Sequence, residues 1–124
     1  MTVYLTLDNA LALVDEAGLD SARDIGLLDS AIQRPRTTLF GDEAYPTLDE
    51  KVAVLLESIV RNHPLIDGNK RLGWLSATVL YRLNGVRLSA PQDAAYELVI
   101  AAATGMSDYH ESAARLVAWT STST

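Results

Sequence analysis

Apolar residues recur at helical spacing along most of the chain, whereas strict alternation of apolar and polar residues is scarce. This pattern predicts an all-α fold, a compact bundle of about six helices with at most one very short strand near residues 3–5. The predicted helices cover residues 6–18, 27–33, 47–63, 69–84, 91–105 and 107–119. Residues 120–124 are expected to form a frayed tail.

Helix boundaries follow from residues that cap or block a helix. Thr47 with Glu50 three residues later has the form of a capping box, and the helix that follows must end before Pro64. The fifth helix is expected to begin at Pro91, because proline is tolerated at the first helical position. The predicted N-caps are Thr6, Thr47 and Ser107.

The two longest predicted helices each carry one apolar stripe at i, i+3, i+4 spacing, which is typical of a helix with one face in the core. In the third helix the stripe comprises Val52, Leu55, Leu56, Ile59 and Val60. In the fourth it comprises Leu72, Leu75, Val79, Leu80 and Leu83. A short loop must therefore join two core helices.

Residues 36–46 break the helical pattern with Gly, Asp and Pro, which favours an irregular loop. Phe40 and Tyr45 are its expected aromatic anchors. Loops of this kind often face a functional site, so this one is a candidate for presenting a target molecule.

Length and composition predict one globular domain over residues 1–124, since 48% of the 124 residues are apolar and 21% are charged. The absence of cysteine excludes disulfides and thiolate chemistry. No apolar run is long enough to span a bilayer, and the first residues lack the features of a signal peptide. We therefore expect a cytoplasmic protein that does not bind membranes.

The net charge of −6 argues against direct binding of nucleic acid. Charge is unevenly distributed, however, because residues 61–87 carry five Arg and Lys residues against a single acidic one, Asp67. Such a cluster is either a chance feature of a helical surface or the neighbourhood of an anionic ligand.

The loop before the fourth helix favours the second interpretation. The first turn of a helix presents unpaired N–H groups and the positive end of the helix dipole, which together bind anions such as phosphate. Gly68 allows close approach to the backbone and a positive φ. Asn69 opens the helix, and Lys70 and Arg71 add cationic donors, so these four residues are the predicted phosphate site.

Two further residues supply chemistry at the same loop. Asp67 is suited to hold a hard cation such as Mg²⁺ together with phosphate oxygens. His63 is the one group of this segment that can accept a proton near neutral pH, and it is the candidate general base.

Each of these residues also has a purely structural interpretation. His63 continues the apolar stripe of the third helix and could be a partly buried core residue. Residues 67–69 could be an ordinary turn and helix cap, and Lys70 and Arg71 could simply be solvated. Their joint occurrence at one helix start favours a site.

Residues 63–71 resemble the signature of Fic-domain proteins, His-x-Phe-x-Asp/Glu-Gly/Ala-Asn-Gly/Lys-Arg, in the lysine-containing form of the death-on-curing (Doc) toxins. The resemblance extends over nearly the whole chain. Leu65 stands where the motif has Phe, and Trp74 stands where AMP-transferring relatives have a second Arg. The autoinhibitory helix of many Fic proteins has no counterpart in the sequence.

The resemblance implies a toxin that transfers the γ-phosphoryl group of ATP to a threonine or serine hydroxyl of a target protein, translation elongation factor Tu in the known subtype. By position, it implies His63 as the base, Asp67 as the Mg²⁺ ligand, Gly68 and Asn69 as the phosphate cradle, and Lys70 and Arg71 as charge stabilisers. It also implies a small Phd-like antitoxin that inhibits the toxin.

Three rival functions stay open at this point. The first is transfer of AMP rather than phosphate, and the second is a non-catalytic module that binds an antitoxin or another partner. The third, a metal-dependent hydrolase, is disfavoured because the two histidines, His63 and His110, lack the paired spacing of a zinc site. His110 is expected at the surface.

Overall fold

The computed structural model describes residues 1–19 and 22–122, and within them it contains six α-helices, which confirms the predicted all-α class. The helices are α1 (Leu7–Glu16), α2 (Ile25–Gln33), α3 (Leu48–Asn62), α4 (Asn69–Leu83), α5 (Gln92–Thr104) and α6 (Tyr109–Val117). A 3₁₀ turn, Arg34–Arg36, follows α2 directly. The short strands are β1 (Thr38–Leu39), β2 (Asp42–Glu43), β3 (Val86–Leu88) and β4 (Thr120–Thr122).

Side-chain caps set most of the helix starts. Thr6 accepts a hydrogen bond from the Asn9 N–H at 3.1 Å, and Thr47 accepts one from the Glu50 N–H at the same distance, as predicted. The second helix begins two residues earlier than predicted, because Asp24 caps it by accepting from the Leu27 N–H.

The predicted boundaries of the last two helices need small corrections. The cap of α6 is Asp108 rather than Ser107, because Asp108 and Glu111 together form a reciprocal capping box. Pro91 is the N-cap residue of α5 and not its first helical residue. The last helix ends at Val117, two residues before the predicted end at Trp119.

The predicted strand near residues 3–5 is wrong: among the residues described, this segment pairs with no strand. The Asn84 carboxamide holds this segment, with its Oδ1 accepting from the Val3 N–H at 2.7 Å and its Nδ2 donating to the Val3 carbonyl at 2.8 Å. The two backbone hydrogen bonds that a neighbouring strand would form with Val3 are thus made by one amide side chain.

The predicted frayed tail is also wrong for residues 120–122. They form β4, which pairs antiparallel with β3, Val86 opposite Thr122. The half-buried Trp119 ring and the hydrogen bond from the Ser89 N–H to the Trp119 carbonyl, 2.9 Å, fix the segment that leads into β4. Residues 123 and 124, the rest of the predicted tail, lie outside the described residues.

Residues 36–46 are not an irregular loop throughout, because residues 38–43 form a small hairpin. Strands β1 and β2 pair antiparallel, and Phe40 and Gly41 between them both have positive φ, 53° and 86°, as in a two-residue hairpin turn. Phe40 is therefore not a core anchor, and its side chain is fully exposed at 105%. Tyr45 is an anchor, since its hydroxyl accepts from Arg34 Nε at 3.2 Å and its ring meets Tyr109 edge-on.

The core is built around α3, which contacts α2, α4, α5 and α6. All five residues of its predicted apolar stripe are fully buried. The helix is buried on its other faces too, because residues 51–60 all lie inside. Its buried lysine, Lys51, is paired with Glu43 at 3.0 Å and donates to the Tyr45 carbonyl, so the charge is not left uncompensated.

The two central helices pack closely at Gly73 of α4. A Cβ added there would lie 2.8 Å from Leu56 Cδ1 and from Val60 Cγ1 of α3, and the β-branched Val60 is stiff. We expect Gly73→Ala to lower the free energy of unfolding by about 1–2 kcal/mol, because overpacking outweighs the higher helix propensity of alanine. Urea denaturation measures the change, with Arg82→Ala on the exposed face of α4 as control; a stabilised Gly73→Ala protein would contradict this contact.

A second contact between these helices predicts a pH dependence. The buried Tyr81 hydroxyl of α4 donates to Asp49 Oδ1 of α3 at 2.5 Å. Burial, the hydrogen bond to Asp49 and the Asp49 charge, in that order, raise the pKa of Tyr81 well above its usual range. The unfolded chain therefore loses this proton from about pH 10 upward while the folded protein keeps it.

Tyr81→Phe is accordingly expected to lower the unfolding free energy by about 2 kcal/mol near neutral pH. Above about pH 10, ionisation of Tyr81 in the unfolded chain lowers the free energy of unfolding of the original protein by up to about 1.4 kcal/mol per pH unit. The difference in unfolding free energy between the original protein and Tyr81→Phe therefore becomes smaller. Urea titrations at several pH values measure it, with Tyr96→Phe on the exposed surface of α5 as control. A gap that is constant to pH 11 would disagree with the raised pKa.

Within residues 1–19 and 22–122, no helix combines the length and the apolar content that a membrane span requires.

Candidate functional site

The loop between α3 and α4 begins with a left-handed residue. His63 caps the C-terminus of α3 with φ 51° and ψ 57°, a conformation that is costly for any residue with a Cβ. This turn takes His63 out of the helix, and its side chain is exposed rather than part of the core. The interpretation of His63 as a buried member of the apolar stripe is therefore wrong.

Leu65 anchors the loop in the core. Its side chain is 1% exposed although it is smaller than the phenylalanine of the resembling motif, so leucine fills this position. The Asn69 carboxamide holds the Leu65 backbone from both sides, accepting from its N–H at 2.8 Å and donating to its carbonyl at 3.0 Å. The Asn69 side chain is thus committed to the loop, and what it can offer a ligand is its backbone N–H.

Gly68 is the N-cap residue of α4, and its φ of 89° is positive, as glycine at this position allows. A Cβ at this position would also lie 3.0 Å from Leu19 Cδ2. Its N–H donates to Asp67 Oδ1 at 2.8 Å. The N–H groups that the helix leaves without an intrahelical partner are therefore those of Asn69, Lys70 and Arg71, and the first helical bond runs from Leu72 to the Gly68 carbonyl.

One cavity of about 350 Å³ brings the predicted residues together. Its lining comprises His63, Ile66, Asp67, Gly68, Asn69, Lys70 and Arg71. All six residues singled out in the sequence therefore face the same space. Ile66 was not among them, and its side chain is largely exposed beside them.

The cavity is electropositive. Lys70 and Arg71 are both exposed, and no acidic side chain of the described residues lies within salt-bridge distance of either. The N-terminus of α4 adds the positive end of its dipole at the same point. The arrangement is suited to bind a multiply charged anion such as a phosphate group.

The residues present fit Mg²⁺ only if phosphate shares the coordination. Within the described part of the chain, no group of three His, Cys, Asp or Glu side chains could hold a metal by itself. Asp67 supplies one hard carboxylate at the cavity, and Mg²⁺ is commonly bound by one or two carboxylates together with substrate phosphates and water.

His110 lies at the surface, as expected, with a side chain 65% exposed.

A larger groove of about 830 Å³ adjoins the cavity along α4. Lys70 and Arg71 line both spaces, and the groove continues past Trp74 between α4 and α5. The charged end of a ligand in the cavity would thus leave its remainder beside an aromatic, mainly apolar surface.

Sequence reasoning missed the buried ionic network that supports the end of α3. Glu57, 4% exposed, pairs with Arg61 at 2.5 Å and with Arg34 at 3.5 Å. Arg61 also donates to the carbonyls of Ala102, at 2.8 Å, and Ser107, at 3.0 Å. The i, i+4 spacing of Glu57 and Arg61 is a sequence signal for their ion pair. The contacts of these residues with distant elements have no signal in the sequence.

It also missed Arg23, which lies on the segment before α2. The Arg23 side chain donates from Nε at 3.2 Å and from Nη2 at 2.7 Å to the carbonyl oxygen of His63. The two residues are 40 positions apart, and nothing in the local sequence pairs them. Arg23 is not part of the cavity lining, so it touches the site through the backbone of His63.

Comparison with known proteins agrees with this geometry. The family model described as Fic/DOC family matches residues 4–81, which include α1, α2, α3, the loop and all but the last two residues of α4. A curated relative, "Toxin Doc" of Mycolicibacterium smegmatis, is 46% identical over 95 residues, which cover 75% of this chain and 73% of the relative. The family model covers more than half of the chain and the relative shares 46% identity over 75% of it, so the chain belongs to the Fic/DOC family.

Proposed function

We propose that this protein is the toxin of a toxin–antitoxin module and an enzyme that transfers the γ-phosphoryl group of ATP to a threonine or serine hydroxyl of a target protein. The observation that carries the proposal is the single cavity in which an exposed histidine faces the cationic first turn of α4. Family membership and a relative named as a toxin support it.

The chain's residues have distinct roles in this proposal. The amides of Asn69, Lys70 and Arg71, with the two cationic side chains, bind the polyphosphate and stabilise its negative charge. His63 accepts the proton of the target hydroxyl, whose oxygen then bonds to the γ-phosphorus while the bond to the bridging oxygen breaks and ADP leaves. Mg²⁺, held by Asp67 and the phosphates, would supply further charge neutralisation.

Two residues favour phosphoryl transfer over AMP transfer. Lys70 precedes Arg71, and Trp74, one turn later, occupies the place of a second Arg in AMP-transferring relatives of the resembling family. Trp74 lines the adjoining groove instead of adding a second guanidinium to the cavity. AMP transfer is the alternative outcome, and a non-catalytic partner-binding module is the other.

The hairpin of β1 and β2 is the proposed site for presenting the target. It precedes α3 directly, and the side chains of Leu39 and Phe40 are exposed at its tip. Translation elongation factor Tu is the proposed target, which places the protein in the cytoplasm, without direct binding to nucleic acid or membranes. A Phd-like antitoxin is the proposed inhibitor.

Label transfer from ATP tests the proposal. The purified protein is incubated with elongation factor Tu and Mg²⁺, and separately with cell extract, using ATP labelled at the γ or the α phosphate. We expect label in the target from γ-labelled ATP alone, with one ADP released per modification. Label from α-labelled ATP would establish AMP transfer, and growth arrest without label from either would favour the non-catalytic module. Arg82→Ala, at the far end of α4, is a control that should retain full activity.

A further inference from the structure

The residue that holds the proposed base comes from another part of the chain. Two nitrogens of the Arg23 guanidinium donate to one acceptor, the carbonyl oxygen of His63, at 3.2 Å and 2.7 Å. Arginine presents such donors in a fixed planar fork, which gives the contact a defined direction. The contact therefore restrains the orientation of the peptide that follows His63.

The backbone around Arg23 strengthens this restraint. The N–H groups of Arg23 and Asp24 both donate to the Pro64 carbonyl, at 2.7 Å and 3.1 Å. Ala22 forms an isolated antiparallel bridge with Leu65. Residues 22–24 thus bind the backbone of residues 63–65, and we call this contact the backbone clamp.

The clamp acts on the residue whose conformation most needs support. His63 and Phe40 are the two non-glycine residues with positive φ in the described chain, and only His63 lines the cavity. A left-handed residue with a Cβ persists only where its surroundings hold it, and such residues concentrate at functional sites. Here the left-handed turn is what carries the imidazole from the stripe of α3 to the cavity.

We propose that Arg23 is a positioning residue, which holds His63 in its left-handed conformation and thereby aims the imidazole at the phosphate site. The inference rests on the proposed function only in taking His63 as the base. Arg23 itself is exposed and lies outside the cavity lining, so its removal leaves the cationic cradle of α4 intact. Small misplacements of a catalytic group cost large factors in rate.

The first test needs no activity. The chain has two histidines, His63 and His110, so their Cα and imidazole resonances are readily assigned in labelled protein. In Arg23→Ala we expect the His63 resonances to move away from their left-handed backbone values and those of His110, which lies outside the cavity, to stay unchanged. Unchanged His63 resonances would overturn the proposal.

The second test is kinetic and uses the label transfer described above. Arg23→Ala is expected to lower kcat by about 10–100-fold while changing the KM for ATP by less than about threefold, because the phosphate cradle is untouched. Arg23→Lys keeps the charge but not the fork, and we expect it to lose at least about threefold in kcat. A kcat that is unchanged in either variant, as it should be in the control Arg82→Ala, would overturn the proposal.

The two tests also separate this inference from the proposed function. If the His63 resonances move in Arg23→Ala but the unmodified protein transfers no group from ATP, the clamp stands as the determinant of the His63 conformation and the proposed reaction falls. If transfer occurs and Arg23→Ala is as active as the original protein, the reaction stands and Arg23 is not a positioning residue.

Discussion

Replacing His63 with alanine is expected to lower phosphoryl transfer by about 10²–10⁴-fold, the range that a positioned general base contributes. His63 is the C-cap residue of α3, and its side chain is exposed and makes no contribution to the core, so the variant should fold as the original protein does. Expression of His63→Ala in cells should therefore no longer arrest growth. Label transfer and growth on induction measure the two effects.

The chain offers a matched control for this prediction. His110→Ala removes the other histidine, whose side chain is 65% exposed on α6 and lies outside the cavity. It should leave transfer and growth arrest unchanged. A His63→Ala protein that still modifies the target and still arrests growth would show that His63 is not the base.

Glu57→Ala is expected to have the largest effect on stability, about 3 kcal/mol less free energy of unfolding. Removing one partner of a buried ion pair leaves uncompensated charge inside the protein, here on Arg34 and Arg61, which typically costs about 3–5 kcal/mol. The lower end of that range applies because the side chains of Arg34 and Arg61 keep 35% and 38% of their exposure to water.

Urea denaturation measures this change, and we expect a fall of roughly 10 °C in Tm as well. Glu97→Ala on the exposed face of α5 is the control and should stay within about 0.5 kcal/mol of the original protein. A Glu57→Ala protein of unchanged stability would mean that the network contributes nothing to holding the end of α3.

The parts of the fold that the sequence predicts well are those set by local patterns. The apolar stripe of α3 and the caps at Thr6 and Thr47 follow from spacing within one or two helical turns, and the structure confirms them. The site residues are likewise consecutive or nearly so, from His63 to Arg71. One loop between two core helices was enough to predict that they share a space.

The parts that the sequence does not predict depend on contacts between distant residues or on very short elements. Strands β3 and β4 have three residues each, too few for alternation to be recognisable, and their pairing joins segments more than 30 residues apart. The aromatic side chain of Phe40 predicts an anchor for its loop, but the hairpin turn leaves this side chain exposed. Arg23 donates to the backbone carbonyl of His63, and because every residue has such a carbonyl, the sequence does not indicate this contact.

The central claim is that the first turn of α4 binds the phosphates of ATP beside His63, and titration of ¹⁵N-labelled protein with ATP and Mg²⁺ tests it most directly. We expect the largest amide shifts at Asn69, Lys70 and Arg71, with an accompanying shift of the His63 imidazole and little change at His110. Binding that leaves these amides unchanged and shifts residues elsewhere, or no binding at millimolar ATP, would contradict the claim.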